Sequence, residues 1–208
     1  MYSMAKLIVL SGCDGSGKTT AITILLIYLS KRFRVSVHWL RGSHLHVSIL
    51  YRILSKFSVF KGFDNPYYRF SAPSNLRPLL ALLEFTGFLP QFFSRLLKKL
   101  ISDVVLCDRG VLDFLVWVMA TLRYGKFLNS VLGRFLFALS LKELPIVLTA
   151  SFSVLSSRAD VPREFLAREY MYYSVLQKYL ARLVIDSSKD SPARVVARVL
   201  KSYGIQDS

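Results

Sequence analysis

Cysteine, acidic residues and long uncharged stretches are all scarce in this chain of 208 residues. Its two cysteines, Cys13 and Cys107, cannot form the disulfide framework of a small secreted protein, so we expect a reducing, cytoplasmic environment. No stretch without Asp, Glu, Lys or Arg approaches the roughly 20 residues of a spanning helix. No transmembrane helix is therefore expected, although 53% of the residues are hydrophobic. No repeat or long Gly/Ser linker divides the sequence, and its length is typical of one α/β domain.

The shortage of acidic residues leaves a large positive charge. Against 28 lysines and arginines there are 13 aspartates and glutamates, which gives a formal net charge of +15. Such an excess favours phosphorylated partners: nucleotides, nucleic acid or an anionic membrane surface. Because the basic residues are scattered singly and in pairs, we interpret most of them as solvated surface, and nucleic acid is a candidate partner only.

Apolar, β-branched runs alternate with longer helical patterns along the chain. We predict strands at 6–11, 35–40, 104–107, 145–150 and 183–186. We predict helices at 18–33, 45–58, 76–101, 110–140 with a break near Gly125, 163–182 and 191–203. Strands that alternate with helices pair in parallel and are covered on both faces. The Gly- and Pro-containing segment 61–74 is predicted to be a long loop.

A glycine-rich stretch lies between the first predicted strand and the first predicted helix. It reads GCDGSGKTT (residues 12–20) and fits the phosphate-loop pattern G-x-x-x-x-G-K-[ST]. Lys18 is expected to bridge the β- and γ-phosphates of ATP, and Thr19 to ligate Mg²⁺, which makes ATP and Mg²⁺ the expected cofactors. Backbone amides and the helix N-terminus supply the other phosphate contacts. These contacts are assigned to Gly12, Gly15, Ser16, Gly17, Lys18, Thr19 and Thr20.

The segment VVLCDRG (104–110) ends a predicted buried strand with an acid and a base. Asp108 and Arg109 therefore lie at the carboxyl edge of the sheet, where open α/β folds bind ligands. Asp108 could orient metal-bound water or accept a proton, and Arg109 could grip a phosphate with its planar fork. A structural ion pair at a helix start is an equally good interpretation.

Two further segments carry arginines that suit phosphate chemistry. In SSRADVPREFLAREY (156–170), Arg158 and Arg163 would lie on a mobile lid at about 156–165, which stabilises a phosphoryl group in transit. Arg168 fits a solvated helix pair with Glu164 better. In HWLRGSHLH (38–46), Arg41 could hold a second anion. All three histidines fall here without acidic or thiol partners nearby, so we favour phosphate contact or plain surface over a metal site.

Together these segments resemble the thymidylate kinase family of nucleoside monophosphate kinases. The resemblance spans nearly the whole chain and rests on GCDGSGKTT, RG at 41–42, CDRG at 107–110, the Arg-rich segment 156–168 and VIDSS at 184–188. It implies a single P-loop kinase domain over residues 1–208, with a three-layer α/β fold in which helices flank a five-stranded parallel sheet. It also implies ATP-dependent transfer to a nucleoside monophosphate, with dTMP as the first candidate, and a homodimer formed through helices.

The resemblance also implies roles for individual residues. Asp14 would accept a hydrogen bond from the acceptor's sugar hydroxyl, and Arg41 and Arg109 would approach the acceptor phosphate. Because the phosphate loop lacks a basic residue among its variable positions, the catalytic arginines would come from the lid, as Arg158 and Arg163.

The chain departs from the family pattern where the family reads thymine. The stretch 83–87 has no arginine, Gly110 replaces a tyrosine, and Val118 replaces a glutamine, although Trp117 beside it is aromatic. Since buried polar groups give strong base discrimination, thymine specificity does not follow from these residues. Arg69 and Arg77 are predicted to supply a substitute grip, and Trp117 to contact the acceptor.

Two other functions stay open at this point. The first is a kinase that acts on a nucleoside, a polynucleotide end or another hydroxyl, with Asp108 as general base. The second is a non-catalytic, nucleotide-binding regulatory module. The N-K-x-D signature of switch GTPases is absent. A redox role for Cys13 and Cys107 is conceivable, but we favour packing.

Overall fold

The core of the protein is a five-stranded parallel sheet, which confirms the predicted α/β class. The computed structural model describes residues 5–205. The sheet strands are β1 (Lys6–Ser11), β2 (Val35–Trp39), β4 (Val104–Asp108), β5 (Ile146–Thr149) and β6 (Leu183–Asp186), and β3 (Lys61–Asn65) lies outside the sheet. The strand order is β2-β4-β1-β5-β6, and every pairing is parallel. The strand that follows β1 in the chain, β2, lies on one side of the central pair β4 and β1, and the strand that follows β4, β5, lies on the other side. This reversal of direction opens a crevice at the carboxyl ends of β1 and β4.

Helices cover both faces of this sheet. They are α1 (Lys18–Leu29), α2 (His46–Leu54), α3 (Arg77–Ile101), α4 (Val111–Thr121), α5 (Val131–Glu143), α6 (Phe152–Arg158), α7 (Arg163–Leu180) and α8 (Pro192–Ser202). Helices α1 and α8 pack on one face, and α3, α4, α5 and α7 on the other. All residues of β4 and α4 are buried, so the fold accounts for much of the high hydrophobic content. Within residues 5–205, no helix combines the length and apolarity needed to cross a bilayer.

The predicted elements agree with the structure apart from their end residues and from one strand and one helix. The break predicted near Gly125 in the helix 110–140 is confirmed, because α4 and α5 are separate helices joined through a 3₁₀ turn at Gly125–Asn129. The predicted loop 61–74 contains β3, which folds back so that the Ser71 amide donates to the Phe60 carbonyl at 2.8 Å. Helix α6 was not predicted. Both missed elements are short and gain their stability from tertiary contacts rather than from local propensity.

A buried ion pair joins the middle of the chain to the start of α4. Arg95 on α3 pairs with Glu143 at the end of α5, and both side chains are almost fully buried. The Glu143 carboxylate also accepts a hydrogen bond from the Val111 amide at 2.8 Å. This pair therefore fixes the helix that follows Asp108 and Arg109.

Candidate active site

The phosphate loop has the geometry that its glycines predict. Gly12 and Gly17 have φ angles of 139° and 86°, which L side chains rarely adopt. A Cβ atom on Gly12 would also lie 2.1 Å from the Leu148 carbonyl oxygen, so the loop runs tightly against β5. Helix α1 begins at Lys18, and no side chain in the described part of the chain caps it. Its first N–H groups are therefore free to bind an anion.

Lys18 lies folded into this loop. Its Nζ donates to the carbonyl oxygens of Gly12 and Cys13, both at 2.7 Å, and to Ser16 Oγ at 3.3 Å. The side chain is buried, and burial followed by the charge of Arg109 lowers the pKa of its ammonium group. The loop thus holds a desolvated cation at the point where a phosphate chain would bind.

Thr19 and Asp108 form the candidate metal position. The Thr19 hydroxyl donates to Asp108 Oδ2 at 3.2 Å, because β1 and β4 are neighbours and Leu10 lies opposite Asp108. One hydroxyl and one carboxylate fit Mg²⁺, which keeps several waters and takes its remaining ligands from phosphates. The histidines of the segment 38–46 have other contacts: for example, His46 Nε2 lies 2.8 Å from the Thr86 hydroxyl.

Asp14 and Arg109 form an ion pair at the mouth of the cleft. Arg109 donates to Asp14 Oδ1, and the Tyr67 hydroxyl donates to Asp14 Oδ2 at 3.0 Å. Burial raises the pKa of Asp14, but the charges of Arg109 and Lys18 outweigh it, so the pKa lies below its usual value. Both carboxylate oxygens are engaged, and Arg109 is already paired with an acid.

Asp113, which sequence reasoning missed, ties the loop to α4. It accepts hydrogen bonds from the Ser11 hydroxyl, from the amides of Gly12 (3.3 Å) and Gly110 (2.7 Å), and from the Tyr173 hydroxyl (2.6 Å). The sequence carries only half of a capping box, an acid three residues after the N-cap, because Gly110 has no side chain to complete it.

Glu169 is a second buried acid that sequence reasoning missed. Its side chain is 3% exposed, and its Oε2 atom has no hydrogen-bond partner within residues 5–205. Burial, reinforced by the negative charge of Asp14, raises the pKa of Glu169 to about 7 despite the opposing charges of Arg109 and Lys18. Nothing in the local sequence marks this glutamate, since its environment comes from the phosphate loop and α4.

Replacing Glu169 with glutamine is expected to stabilise the protein at pH 8. A carboxyl group whose pKa is raised on folding contributes stability below its unfolded pKa of about 4.5, and that stability is lost as the pH rises through about 7. The free energy of unfolding of Glu169→Gln should therefore be roughly 3 kcal/mol higher than that of the wild type at pH 8. Asp14 contributes stability with the opposite pH dependence, because its pKa is lowered on folding. Since both proteins contain Asp14, its contribution cancels in the difference between them. Urea unfolding from pH 4 to 8 measures the difference, with the exposed Glu164→Gln as control. Equal stabilities at pH 8 would contradict this assignment.

Arg41, which follows β2 in the chain, brings a further guanidinium group to the cleft. Its backbone is clamped by Gln91, which accepts from the Arg41 amide at 3.0 Å and donates to its carbonyl at 2.9 Å. The guanidinium lies 4.4 Å from the ring centroid of Tyr67 and 5.5 Å from that of Trp39. Among the described residues, neither Arg41 nor Arg158 pairs with a carboxylate. Both cations can therefore receive a phosphate without breaking an ion pair.

The cleft itself measures about 790 Å³ and lies at the carboxyl edge of the sheet. Most of the predicted site residues line it: Asp14, Gly15, Gly17, Lys18, Thr19, Thr20, Arg41, Asp108, Arg109 and Arg158. Gly12 and Ser16 belong to the loop but are not among the lining residues. The lid predicted at 156–165 comprises the end of α6, a four-residue link and the start of α7.

Besides Gly12 and Ser16, four predicted residues lie outside the cleft lining, as does Arg168. Arg69 is exposed, and Arg77 donates to the Arg123 carbonyl at 3.2 Å. Arg163 lies 5.7 Å from the ring centroid of Phe152. Trp117 is buried beneath the cleft. Arg168 donates to the carbonyl oxygens of Asp64 (3.0 Å) and Ala120 (3.1 Å), so it acts as a clamp between segments and not in the solvated helix pair predicted for it.

Among known proteins, the likeness of this chain lies in its fold. No protein-family model and no curated protein matches it. A solved structure, the crystal structure of thymidylate kinase from Ehrlichia chaffeensis, matches with a TM-score of 0.59 and 18% identity, over 97% of this chain and 100% of that chain. The chain has a thymidylate kinase-like fold.

Within this thymidylate kinase-like fold, a slot beneath the cleft is almost filled. The slot measures about 20 Å³, roughly the space of one water molecule. Trp117 closes it: a Cβ atom on Gly42 would lie 2.0 Å from the indole, and Nε1 donates to Ser43 Oγ at 3.2 Å. Glu84, in the stretch without an arginine, accepts from the Ser43 amide at 2.7 Å and from its hydroxyl. The polar groups at these positions therefore bind one another.

Proposed function

We propose that this chain is an ATP-dependent phosphotransferase that moves the γ-phosphoryl group to the phosphate of a nucleoside monophosphate, with dTMP as the first candidate. One observation carries the proposal: a single cleft presents a phosphate loop with its lysine and two guanidinium groups, Arg41 and Arg158, that have no carboxylate partner among the described residues. Two anionic groups that must meet in line need this arrangement of cations. The thymidylate kinase-like fold supports a nucleotide kinase.

Each side of the cleft has its own task in this proposal. Lys18 and the loop amides hold the ATP phosphates, and Thr19 and Asp108 would hold Mg²⁺. The ion, when bound, neutralises charge on the β- and γ-phosphate oxygens. Arg41 grips the acceptor phosphate, while Arg158 stabilises the transferred group. Because a phosphate acceptor needs no general base, Asp108 serves the metal.

Arg163 and Arg109 have less direct roles. Arg163 contacts Phe152 and would reach the cleft only if the link at 159–162 moves, so its catalytic role stays a prediction. Arg109 is paired with Asp14, and it approaches the acceptor phosphate while it also holds that carboxylate. Arg69 and Arg77 lie outside the cleft lining and are not needed for this proposal.

A transfer assay with radiolabelled ATP tests the function. The acceptor panel contains nucleoside monophosphates, nucleosides and oligonucleotides, with a Lys18→Ala variant as control. We expect label in nucleoside diphosphates. Label in nucleosides or oligonucleotide ends would indicate instead a kinase that acts on hydroxyls, with Asp108 as base. ATP binding without transfer to any acceptor would contradict the kinase proposal and favour a regulatory module.

Asp14→Asn is expected to raise the acceptor KM about tenfold to a hundredfold, because it removes a charged hydrogen-bond acceptor at the cleft mouth. Arg109 keeps a second acid nearby, Asp113, at 4.0 Å, so the cleft should stay formed. The KM for ATP should change much less. Steady-state kinetics with each substrate varied measures both values. The control is Asp160→Asn, a second carboxylate of the same cleft. An effect confined to ATP would show that Asp14 does not face the acceptor.

A homodimer formed through α3 is part of the proposal. Exposed apolar side chains form two groups, one towards each end of this helix, and within each group they follow the three- and four-residue spacing of a helix-packing seam. They are Leu79 and Leu82 in the first group and Phe93, Leu96 and Leu100 in the second, and they are 40–80% exposed. Exposed apolar groups of this kind on a surface helix are typical of an interface with a second helix. Sedimentation velocity over a concentration series measures the oligomeric state.

The two cysteines support an intracellular, reducing location within this proposal. Cys13 and Cys107 are both free and buried. Burial raises the pKa of both thiols, that of Cys107 to about 12. Since the thiolate is the reactive form, we propose that both residues serve packing and not redox chemistry.

A further inference from the structure

The acceptor side of the cleft has no room for a base in its depth. The slot below it holds about 20 Å³, and its walls include the rings of Tyr67 and Trp117, whose centroids are 5.7 Å apart. The Tyr67 hydroxyl is bound to Asp14, and its ring is covered by Arg41. A base of any kind would have to displace these groups together.

Trp39 offers a different surface for a base. It ends β2, lines the large cleft and is 49% exposed. His44 packs edge-on against it with centroids 5.5 Å apart, which holds the indole in one orientation. The guanidinium of Arg41 lies 5.5 Å from the indole centroid. A phosphate gripped by Arg41 would therefore leave the rest of a mononucleotide beside an exposed aromatic plane.

We infer that the acceptor base lies against Trp39 at the mouth of the cleft, and that the protein recognises its acceptor by phosphate and stacking with little choice among bases. This inference rests on the proposed function and specifies its acceptor side. Stacking tolerates any base because every base has a π-face, whereas strong discrimination needs buried polar groups that face the base edge. Of the polar groups that line this slot, Asp14, Arg109, Asp113 and Trp117 already bind other groups of the protein. The Oε2 atom of Glu169 has no partner among the described residues, but the space of about 20 Å³ beside it is too small for a base.

The consequence is a flat acceptor profile. The four deoxynucleoside monophosphates should differ by less than about tenfold in kcat/KM, because differences in stacking strength are small. Trp39→Leu should raise the KM for all four by a similar factor of about ten to a hundred. 2-Deoxyribose 5-phosphate, which has no base, should bind the wild type and this variant equally.

Tryptophan fluorescence gives a readout that does not depend on turnover. The chain has two tryptophans, of which Trp117 is buried, so quenching by dTMP, dAMP, dCMP or dGMP reports on Trp39. Quenching should disappear in Trp39→Leu and persist in Tyr179→Leu, a matched loss of an exposed aromatic that does not line the cleft. Thermal unfolding checks that both variants are folded.

The outcomes separate this inference from the proposed function. Quenching that depends on Trp39 without any phosphoryl transfer would leave the inference standing and remove the kinase. Phosphoryl transfer with an unchanged acceptor KM in Trp39→Leu would support the kinase proposal and overturn the inference about Trp39. A preference of more than about a hundredfold for one base in the wild type would also overturn the inference, because stacking does not discriminate that strongly.

Discussion

Lys18→Ala is expected to lower kcat about a thousandfold or more, whichever acceptor the protein uses. The ammonium group is buried in the loop, within 2.7 Å of two of its carbonyl oxygens, so it is already positioned before ATP binds. Charged groups that are preorganised and desolvated in this way contribute the largest single share of the rate acceleration in enzymatic phosphoryl transfer. A single-turnover assay with radiolabelled ATP measures the rate of the chemical step.

Two further variants make the Lys18 result specific. Lys18→Met keeps the apolar stem and removes only the charge, so it should be nearly as inactive as the alanine variant. Lys31→Ala removes an exposed lysine just beyond the other end of α1 and should leave the rate unchanged. A Lys18→Ala protein that retains more than about a tenth of the wild-type rate would contradict phosphate-loop catalysis.

Arg95→Met is expected to lower the free energy of unfolding by about 3–5 kcal/mol, because it leaves the Glu143 carboxylate buried without its partner. For a chain of this length the melting temperature should fall by roughly 10 °C. Burial already raises the pKa of Glu143 against the effect of Arg95, so loss of the arginine should favour the neutral acid further. Calorimetry or urea unfolding measures the loss.

A double variant distinguishes the charge from the packing. Arg95→Met with Glu143→Gln removes both charges but keeps an acceptor for the Val111 amide, so it should recover more than half of the lost stability. Arg34→Met, which breaks the exposed pair with Asp103, should have a much smaller effect. If Arg95→Met and Arg34→Met lose the same stability, burial does not determine the strength of the pair.

The phosphate loop and the sheet could be predicted because their signals are local. The loop is nine consecutive residues, and its geometry depends on glycines at fixed offsets from Lys18. The buried strands are short apolar runs, and their alternation with helices determines parallel pairing. Strand pairing then brings Thr19 to Asp108, although 89 residues separate them.

The contacts around the proposed acceptor position could not be predicted, because they join parts of the chain that are far apart in sequence. Asp14 meets Tyr67 and Arg109, which lie 53 and 95 residues away. Glu169 is buried by the loop and α4, and no neighbour in its own helix indicates that. Motif matching assigned Arg109 to a phosphate, but a motif does not show that a guanidinium is already paired.

The sequence by itself therefore determined the fold class, the phosphate loop and the carboxyl edge at which two substrates would meet. Only the tertiary structure decided which guanidinium groups of the cleft have no carboxylate partner among the described residues, namely Arg41 and Arg158, and that Trp117 and Tyr67 close the slot below the cleft. The physical reason is that a backbone conformation depends on neighbours in the chain. The availability of a side chain depends instead on every group packed around it, and those groups come from separate elements of the fold.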